Sequence, residues 1–385
     1  MSIDIEHWVQ GELLEAKTTA RAPPVRAISI RNLGNLDSRL YNIIPQDLKD
    51  EIITQLIEFS KDGNAIVKRS ACMSLGKLGN FIPNDKISSV INRLTTICTD
   101  ENEQYTVVAS SVLSLGRLET VIPQTNSADV IRTLVTTCRY KKEEVRESAV
   151  RALRKLKRII TPETINDVVN VLIELSGDNA WIVKESTVNS LNVLWDLIPE
   201  DLRVDVVNRL LELCTDSDWV VRRSVIQNLD RILDVIPEDM INEFINGLLE
   251  FSRTTDFRGK RDVAWAMGKM RDNIPEDSMN GVVERLLELV KDGHWRVRRL
   301  SSWAIGRIRT VIPHEYRGVV IENILELRND SDTKVKSILA WIIGNMGDEI
   351  PENMRGDTIH VLSLLEEDEY EEVRTSAKWA LGELD

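Results

Sequence analysis

The chain of 385 residues has few aromatic residues and no long apolar run. Aromatics make up 5%, against 42% hydrophobic and 29% charged residues, a composition typical of helical proteins that are exposed to water. No window approaches the roughly 18 consecutive apolar residues of a membrane-spanning helix. The start, MSIDIEHWVQGELLEAK, has acids where a signal peptide needs a basic end and an apolar stretch. We therefore expect a cytoplasmic protein without a membrane partner.

An excess of positive charge is also missing. Lys and Arg number 49 and Asp and Glu 62, so the net charge is −13. This total excludes a chain that coats nucleic acid with its whole surface, but it allows a local basic patch.

Cysteine and histidine are scarce, with four of each. The cysteines lie too far apart for a zinc ribbon or a CxxC redox pair, and they are too few to cross-link a chain of this length. We expect them to be small buried apolar residues; they are Cys72, Cys98, Cys138 and Cys214. The chain has few of the cysteines and histidines that commonly bind metals or perform acid–base chemistry, so we expect neither a metal nor a cofactor.

What the sequence does contain is an internal repeat of about 38 residues. One column is a proline that usually follows isoleucine: Pro45, Pro83, Pro123, Pro162, Pro199, Pro237, Pro275, Pro313 and Pro351. A second column is a base that mostly follows valine: Lys68, Arg146, Lys184, Arg222, Lys260, Arg298, Lys336 and Arg374. From Arg146 onward, successive bases are 38 residues apart.

Each repeat has the pattern of two helices. The proline suits the first helical position, and the acids after it favour the positive end of a helix. An apolar stripe at helical spacing then marks the first helix, as in Leu202, Val206, Leu210 and Leu213. After a polar turn, the second helix has its own stripe, as in Val297, Ser301, Ala304, Ile305 and Ile308. No segment shows the sustained alternation of a strand, so the sequence predicts an all-α solenoid.

A glycine column lies inside the second helices, eight residues after the base: Gly34, Gly76, Gly116, Gly268, Gly306, Gly344 and Gly382. Glycine within a helix costs about 1 kcal/mol of helix propensity relative to alanine. We therefore expect this column to mark close packing against a neighbouring helix.

An aspartate six residues before a base, followed by small residues and LG or IG, resembles the HEAT repeat. The matching pairs are Asp62 and Lys68, Asp178 and Lys184, Asp216 and Arg222, Asp292 and Arg298, Asp330 and Lys336, and Asp368 and Arg374. WRVRRLSSWAIGRI is especially similar to the HEAT-like repeats of phycobilin lyase (PBS lyase) subunits. The resemblance implies a right-handed α-solenoid of about ten two-helix repeats, in which the aspartates and bases form a ladder between successive repeats. Asn102, Tyr140 and Thr254 interrupt the acidic side and Val108 the basic side, so we expect weaker joints there.

The same resemblance divides the chain into a single solenoid. Residues 1–44 are expected to be a divergent N-terminal capping repeat, because PVRAISIRNLGNL keeps the second-helix pattern. Residues 45–350 form eight regular repeats and residues 351–385 a C-terminal repeat. The segment DSRLYNIIP is the longest predicted irregularity.

In HEAT solenoids the second helices line the concave side, and one side of these helices is basic and aromatic. Counting 100° per residue, Arg296, Arg299, Trp303 and Arg307 point away from the core stripe. The same columns in neighbouring repeats complete the candidate partner-binding residues: Arg223, Arg231, Arg258, Arg261, Trp265, Lys269, Arg296, Arg299, Trp303, Arg307, Lys334, Trp341 and Trp379.

Trp and Arg side by side are the residue types that dominate the energetics of protein interfaces. We therefore predict a non-enzymatic scaffold or adaptor that binds an acidic protein segment in a concave, basic, Trp-lined groove. Two alternatives stay open. The Trp column could instead pack neighbouring repeats, and the groove could bind nucleic acid by stacking and charge neutralisation.

Enzymatic alternatives have little support in the sequence. HEAT-repeat deoxyhypusine hydroxylases need several His-Glu pairs for two irons, and only His314 and Glu315 form one. DNA glycosylases with HEAT-like repeats use tryptophan, arginine and a catalytic aspartate; the acids to inspect for that role are Asp230, Asp272 and Asp348. A bilin lyase activity would rest on the resemblance alone.

Overall fold

A computed structural model describes residues 5–229, 233, 236 and 238–384, without the side chains of 238, 239 and 254. Over these residues the regular secondary structure is helical throughout, as the sequence predicts. Two compact units divide the chain, Met1–Val206 and Val207–Asp385. No helix within the described ranges combines the length and apolar character needed to cross a bilayer.

Unit 1, Met1–Val206, consists of helices joined by short turns. Its α-helices are α1 (Ile5–Lys17), α2 (Pro23–Leu33), α3 (Ser38–Ile43), α4 (Gln46–Phe59), α5 (Ala65–Lys77), α6 (Asn84–Thr99), α7 (Tyr105–Leu115), α8 (Gln124–Thr137), α9 (Glu143–Lys155), α10 (Ile165–Leu175) and α11 (Trp181–Leu194). Helix α3 lies in the segment predicted to be irregular. That expectation was wrong, because the side chain of Asp37 accepts a hydrogen bond from the Leu40 amide and caps a short helix.

Unit 2, Val207–Asp385, repeats the same arrangement. Helix α12 (Glu200–Leu213) leads into it, and its further α-helices are α13 (Trp219–Gln227), α14 (Glu238–Thr254), α15 (Phe257–Met270), α16 (Glu276–Val290), α17 (Trp295–Ile308), α18 (His314–Leu325), α19 (Thr333–Met346), α20 (Glu352–Glu366) and α21 (Glu371–Leu384). Within this unit α15, α17, α19 and α21 are second helices that pack on one another in sequence. The candidate site lies on these second helices and on α13.

The recurring prolines start the first helices. In six repeats of the described chain the proline occupies the N-cap, one residue earlier than predicted: Pro45, Pro83, Pro123, Pro275, Pro313 and Pro351. Its lack of an N–H is harmless there, and its fixed φ suits the turn into the helix. A short 3₁₀ turn precedes several of these prolines, as at Arg309–Val311.

Apolar stripes form the core, as predicted. On α17 the residues Val297, Ser301, Ala304, Ile305 and Ile308 are all buried. On α12 the stripe is buried at Val206, Leu210 and Leu213, and the four cysteines are buried and free. Burial raises the pKa of Cys72 and Cys98 to about 12, so these thiols stay protonated at neutral pH.

Glycine permits close approach of successive second helices, which confirms the packing predicted for this column except at Gly382, where a Cβ would meet nothing within 4 Å. In unit 1, a Cβ on Gly76 would lie 2.6 Å from Cβ of Ser114 on the next second helix. In unit 2, a Cβ on Gly306 would lie 2.5 Å from Cζ3 of Trp341 and one on Gly344 2.7 Å from Cζ3 of Trp379. Any larger residue would force these helices apart.

Ion pairs link successive repeats within each unit, as the resemblance implies. Unit 1 contains Arg26–Asp62 at 2.7 Å and Arg146–Asp178 at 2.6 Å. Unit 2 contains Lys260–Asp292 at 2.9 Å, Arg298–Asp330 at 2.6 Å and Lys336–Asp368 at 2.7 Å. Each of these aspartates also accepts a hydrogen bond from the backbone amide two residues later, which fixes the turn before the second helix.

Two joints expected to be weak are closed by a carboxylate at another position. Lys68 pairs with Glu103 beside the predicted gap at Asn102. Arg222 pairs with Asp262, at 3.3 Å between Nε and Oδ2, in the repeat where Thr254 replaces the usual aspartate. The expectation of weak joints was wrong at these two places, because a base on one repeat can reach more than one position of the next.

Candidate functional site

The predicted partner-binding residues lie on the second helices of unit 2, except that Arg231 falls outside the described residues. Arg223 is on α13, four residues are on α15, four on α17, two on α19 and Trp379 is on α21. Arg223, Arg258, Arg296 and Lys334 are exposed, whereas Arg261, Lys269, Arg299 and Arg307 are partly buried.

Three of the four tryptophans in the predicted column pack between helices. The six-membered rings of Trp303, Trp341 and Trp379 lie against Gly268, Gly306 and Gly344, each on the preceding second helix. Trp303 and Trp341 are partly buried, and Trp379 remains 41% exposed. The interpretation that these indoles pack neighbouring repeats is thereby supported, and the prediction that they bind a partner loses its main argument.

One open pocket of about 570 Å³ brings together five of the predicted residues. It lies on α13, α15 and α17, all within unit 2. We call it the Arg–Trp pocket, and it is lined by Trp219, Arg223, Arg261, Trp265, Trp295, Arg296, Arg299 and Leu300. The predicted residues Arg258, Lys269, Trp303, Arg307, Lys334, Trp341 and Trp379 are not among its lining residues.

Sequence reasoning missed Trp219, Trp295 and Leu300. Trp219 and Trp295 are the first residues of α13 and α17. A signal was present, because aromatics recur at this helix start with a step of 38 residues: Trp181, Trp219, Phe257 and Trp295. The start of a second helix places these rings at the rim of the surface, so Trp219 remains 36% exposed.

Arginine side chains lie over these aromatic rings. The guanidinium carbon of Arg296 lies 5.0 Å from the ring centroid of Trp295, and that of Arg261 lies 5.8 Å from the centroid of Trp219. Beside the pocket, Arg258 lies 5.4 Å from the centroid of Phe257, whose ring stacks on His294 at 4.0 Å. Cation–π contacts of this kind hold flexible arginines over a flat apolar surface and contribute about 0.5–1 kcal/mol each at exposed sites.

A buried carboxylate holds one wall of the pocket in place. Asp262 is 1% exposed, and its Oδ1 accepts hydrogen bonds from Nε and Nη2 of Arg261 at 3.0 and 2.6 Å. Its Oδ2 accepts from Nε of Arg222 at 3.3 Å. Burial raises the pKa of Asp262 even though Arg261 and Arg222 act in the opposite direction. Asp262 therefore fixes the orientation of Arg261 and also joins α13 to α15.

The other arginines of the pocket are unmatched. In the parts of the chain that the structure describes, Arg223, Arg296 and Arg299 have no carboxylate within ion-pair distance. In the ladder of the same unit, by contrast, Arg298 is paired with a carboxylate. Among the described residues, three guanidinium groups without a carboxylate partner thus lie beside three indoles, an arrangement whose chemistry suits an anion with an apolar portion.

The acids and histidines inspected for catalysis are scattered. His314 and Glu315 begin α18, Asp272 lies 3.1 Å from Nε of Arg271, Asp348 is exposed, and Asp230 is outside the described residues. Among the described side chains no group of three or more His, Cys, Asp or Glu is placed to hold a metal ion.

Comparison with known proteins supports the fold. A HEAT repeat family model matches residues 206–236. Over 99% of this chain the structure is similar to Kap95p in a structure with RanGDP, with a TM-score of 0.74 and 14% identity. It is also similar to Kap121p bound to Pho4p, over 100% of this chain, with a TM-score of 0.63 and 14% identity. The chain spans 52% of that Kap95p chain and 46% of that Kap121p chain.

An engineered protein is similar over 98% of both chains, with a TM-score of 0.53 and 17% identity. No curated protein matches the sequence significantly. Kap95p is yeast importin-beta. At these identities the likeness concerns the fold, and it confirms the predicted fold class. The chain thus folds as an all-α solenoid similar to those of the importins, and its residues 206–236 match the HEAT repeat model.

Proposed function

We propose that this chain is a non-enzymatic scaffold that binds an acidic segment of a partner protein in the Arg–Trp pocket. The observation that carries the proposal is a set of three guanidinium groups, unpaired within the described ranges, beside Trp219, Trp265 and Trp295 in one open pocket. The solved structures with a similar fold include complexes with protein partners, RanGDP and Pho4p, which supports protein binding by a solenoid of this kind. A cytoplasmic location stays a prediction.

The charge distribution supports an acidic ligand. The chain as a whole carries a net charge of −13, so an acidic segment is repelled by much of its surface and attracted to places where unmatched arginines gather, as they do in the pocket. Each guanidinium can bind a carboxylate through two parallel hydrogen bonds. The indoles add apolar area that excludes water from those bonds, and Trp and Arg positions at the centre of an interface commonly contribute about 2 kcal/mol or more each.

The proposal differs from the sequence prediction in which tryptophans bind the partner. Trp219, Trp265 and Trp295 line the pocket, whereas Trp303 and Trp341 support the helix packing. Substituting Trp303 would therefore disturb the repeat interface as well as any ligand. Arg299 and Trp295 form a cleaner pair to substitute.

A partner pull-down with the Arg299→Glu, Trp295→Ala double variant tests this function. We expect capture of the partner to be abolished while the helical circular dichroism and the melting temperature stay close to those of the unsubstituted chain. The matched control is Lys334→Glu, which reverses an exposed base on α19 outside the pocket. Unchanged capture by the double variant would show that the partner binds elsewhere.

Nucleic acid is the second candidate ligand, favoured by the same combination of indoles for base stacking and arginines for phosphates. It predicts a steep salt dependence, since each neutralised phosphate contributes a slope of roughly 0.7–0.9 in log K against log salt. Gel shifts with single- and double-stranded oligonucleotides at two salt concentrations separate the candidates. Absence of binding at low salt would eliminate this one.

A further inference from the structure

The Arg–Trp pocket carries more positive charge than one carboxylate can neutralise. Arg223, Arg296 and Arg299 are unpaired in the described part of the chain, and they reach the pocket from α13 and α17. A carboxylate has two oxygens and one negative charge, so it is matched by one or two guanidinium groups. The remaining arginine would stay unsatisfied beside it.

A fourth guanidinium is oriented in advance. Nε and Nη2 of Arg261 donate to Asp262, which leaves Nη1 as the nitrogen not engaged by that carboxylate. Because Asp262 is buried and also bonded to Arg222, Arg261 loses little conformational freedom when a ligand binds. Asp262 partly compensates the charge of Arg261. The main contribution of Arg261 to ligand binding is therefore a fixed hydrogen-bond donor, and its added positive charge is small.

A phosphate monoester matches this arrangement better than a carboxylate does. It carries a charge of about −1.5 to −2 at pH 7 and has three terminal oxygens that accept charge-assisted hydrogen bonds. Three unpaired arginines and the donor on Arg261 provide enough N–H groups for all three oxygens. Arginine clusters of this type recognise phosphorylated motifs in other folds.

The apolar lining indicates that the phosphate is attached to a protein segment. Leu300 and the indole of Trp265 lie among the arginines, and they can contact the side chains on either side of a phosphorylated residue. Arg258, Arg307 and Lys334 lie outside the pocket and also have no carboxylate partner in the described part of the chain, but only the pocket gathers three such arginines around apolar side chains. A dianion carried by a segment with apolar side chains matches that combination.

We propose that the Arg–Trp pocket recognises a phosphorylated segment of the partner protein. This inference rests on the proposed function and specifies its ligand: the partner's phosphate monoester binds Arg223, Arg296 and Arg299, with Arg261 held in position by Asp262. Phosphorylation of the partner would then switch its capture by the scaffold on.

Fluorescence anisotropy with peptide pools tests the inference on the full chain. A fluorescein-labelled pool randomised around a central phosphoserine is used to select the best-bound sequence, which is then made with phosphoserine, glutamate or serine at that position. We expect the phosphoserine peptide to bind about tenfold more tightly than the glutamate peptide, because it forms additional charge-assisted hydrogen bonds. Inorganic phosphate should displace it more effectively than chloride at equal ionic strength.

Two charge variants locate the binding. Arg299→Glu, and separately the milder Arg223→Gln at an exposed position, should remove the preference for phosphoserine, while Lys334→Glu outside the pocket should keep it. Circular dichroism on each variant verifies folding.

The outcomes separate this inference from the proposed function. Equal affinity for the phosphoserine and glutamate peptides, both lost in Arg299→Glu, would overturn the phosphate inference and leave the acidic-segment function standing. Failure of every peptide to bind, or binding that ignores Arg299→Glu, would overturn both. Tighter binding of a single-stranded oligonucleotide at the same pocket would overturn the choice of a protein ligand.

Discussion

The six-membered ring of Trp341 lies against Gly306 of the preceding second helix, so closely that a Cβ on Gly306 would be 2.5 Å from Cζ3 of the indole. The same contact recurs one repeat earlier and one repeat later within unit 2. The large residue of one repeat is thus accommodated by the missing side chain of another. This relationship explains why a glycine is kept inside a helix, where it lowers helix propensity.

Substituting Gly306 by alanine should destabilise the protein. The added methyl group overlaps the Trp341 ring, and overpacking of this kind costs about 1–3 kcal/mol in free energy of unfolding. Gly356→Ala is the matched control, because Gly356 also lies within a helix, α20, but has nothing within 4 Å of its Cβ position. There the change should stabilise by up to about 1 kcal/mol through helix propensity. Urea unfolding followed by circular dichroism measures both changes, and a stabilising Gly306→Ala would show that the helices are not in tight contact.

The ladder pair Arg298–Asp330 should make stability depend on pH. Burial alone would raise the pKa of Asp330, but hydrogen bonds from Arg298 and from the Asp332 amide outweigh it and hold the pKa below its ordinary value. Because the folded-state pKa is lowered, the stabilisation is complete above the unfolded pKa of about 3.9 and is lost as the pH falls through the folded value.

The Asp330→Asn variant tests that dependence. Near pH 7 it should lose about 2–4 kcal/mol of free energy of unfolding, since it leaves a partly buried Arg298 without its charge partner. Below about pH 4 the difference from the unsubstituted chain should shrink, because the unfolded chain then binds a proton at Asp330 that the folded chain binds only at lower pH. Asp348→Asn, at an exposed position, serves as the control. A difference that stays constant from pH 7 to pH 3 would contradict the lowered pKa.

The cysteines should be unreactive until the protein opens. Burial raises the pKa of Cys72 and Cys98 to about 12 and raises that of Cys138 and Cys214 as well, so little thiolate exists at pH 8. We expect the folded chain to react slowly with a water-soluble disulfide reagent and all four thiols to react at once in urea. Rapid reaction of even one thiol under native conditions would show that its surroundings open to water.

The repeat made most of the fold predictable. A glycine, a base and an apolar stripe at constant spacing specify the two helices and their packed faces, so α17 could be described before its structure was known. The resemblance to HEAT repeats implied the ladder of ion pairs, but it could not show that Glu103 and Asp262 replace the missing aspartates. That substitution depends on how far a side chain on one repeat reaches across to the next.

The pocket was only partly predictable for a related reason. Helical angles correctly predicted that Arg299 and Trp265 point away from the core. They predicted the same for Trp303 and Trp341, which pack on the preceding second helix, because an angle about one helix does not show which helix lies next to it. Trp219 and Trp295 belong to a separate column of aromatic residues, each the first residue of a second helix. At a helix start, the location at the end of the helix indicates exposure of the side chain better than its angle from the core stripe does.

Photo-crosslinking from within the pocket tests the central claim most directly. Benzoylphenylalanine is placed at Leu300 in the Arg–Trp pocket or, as control, at Asn246, an exposed position on the first helix α14 of the same unit. Mass spectrometry then identifies the crosslinked peptides after irradiation with the partner present. We predict crosslinks from position 300 to an acidic segment of a protein, which disappear when Arg299→Glu is added. Crosslinking that is equal from position 246, or crosslinks from position 300 to nucleic acid, would contradict the claim.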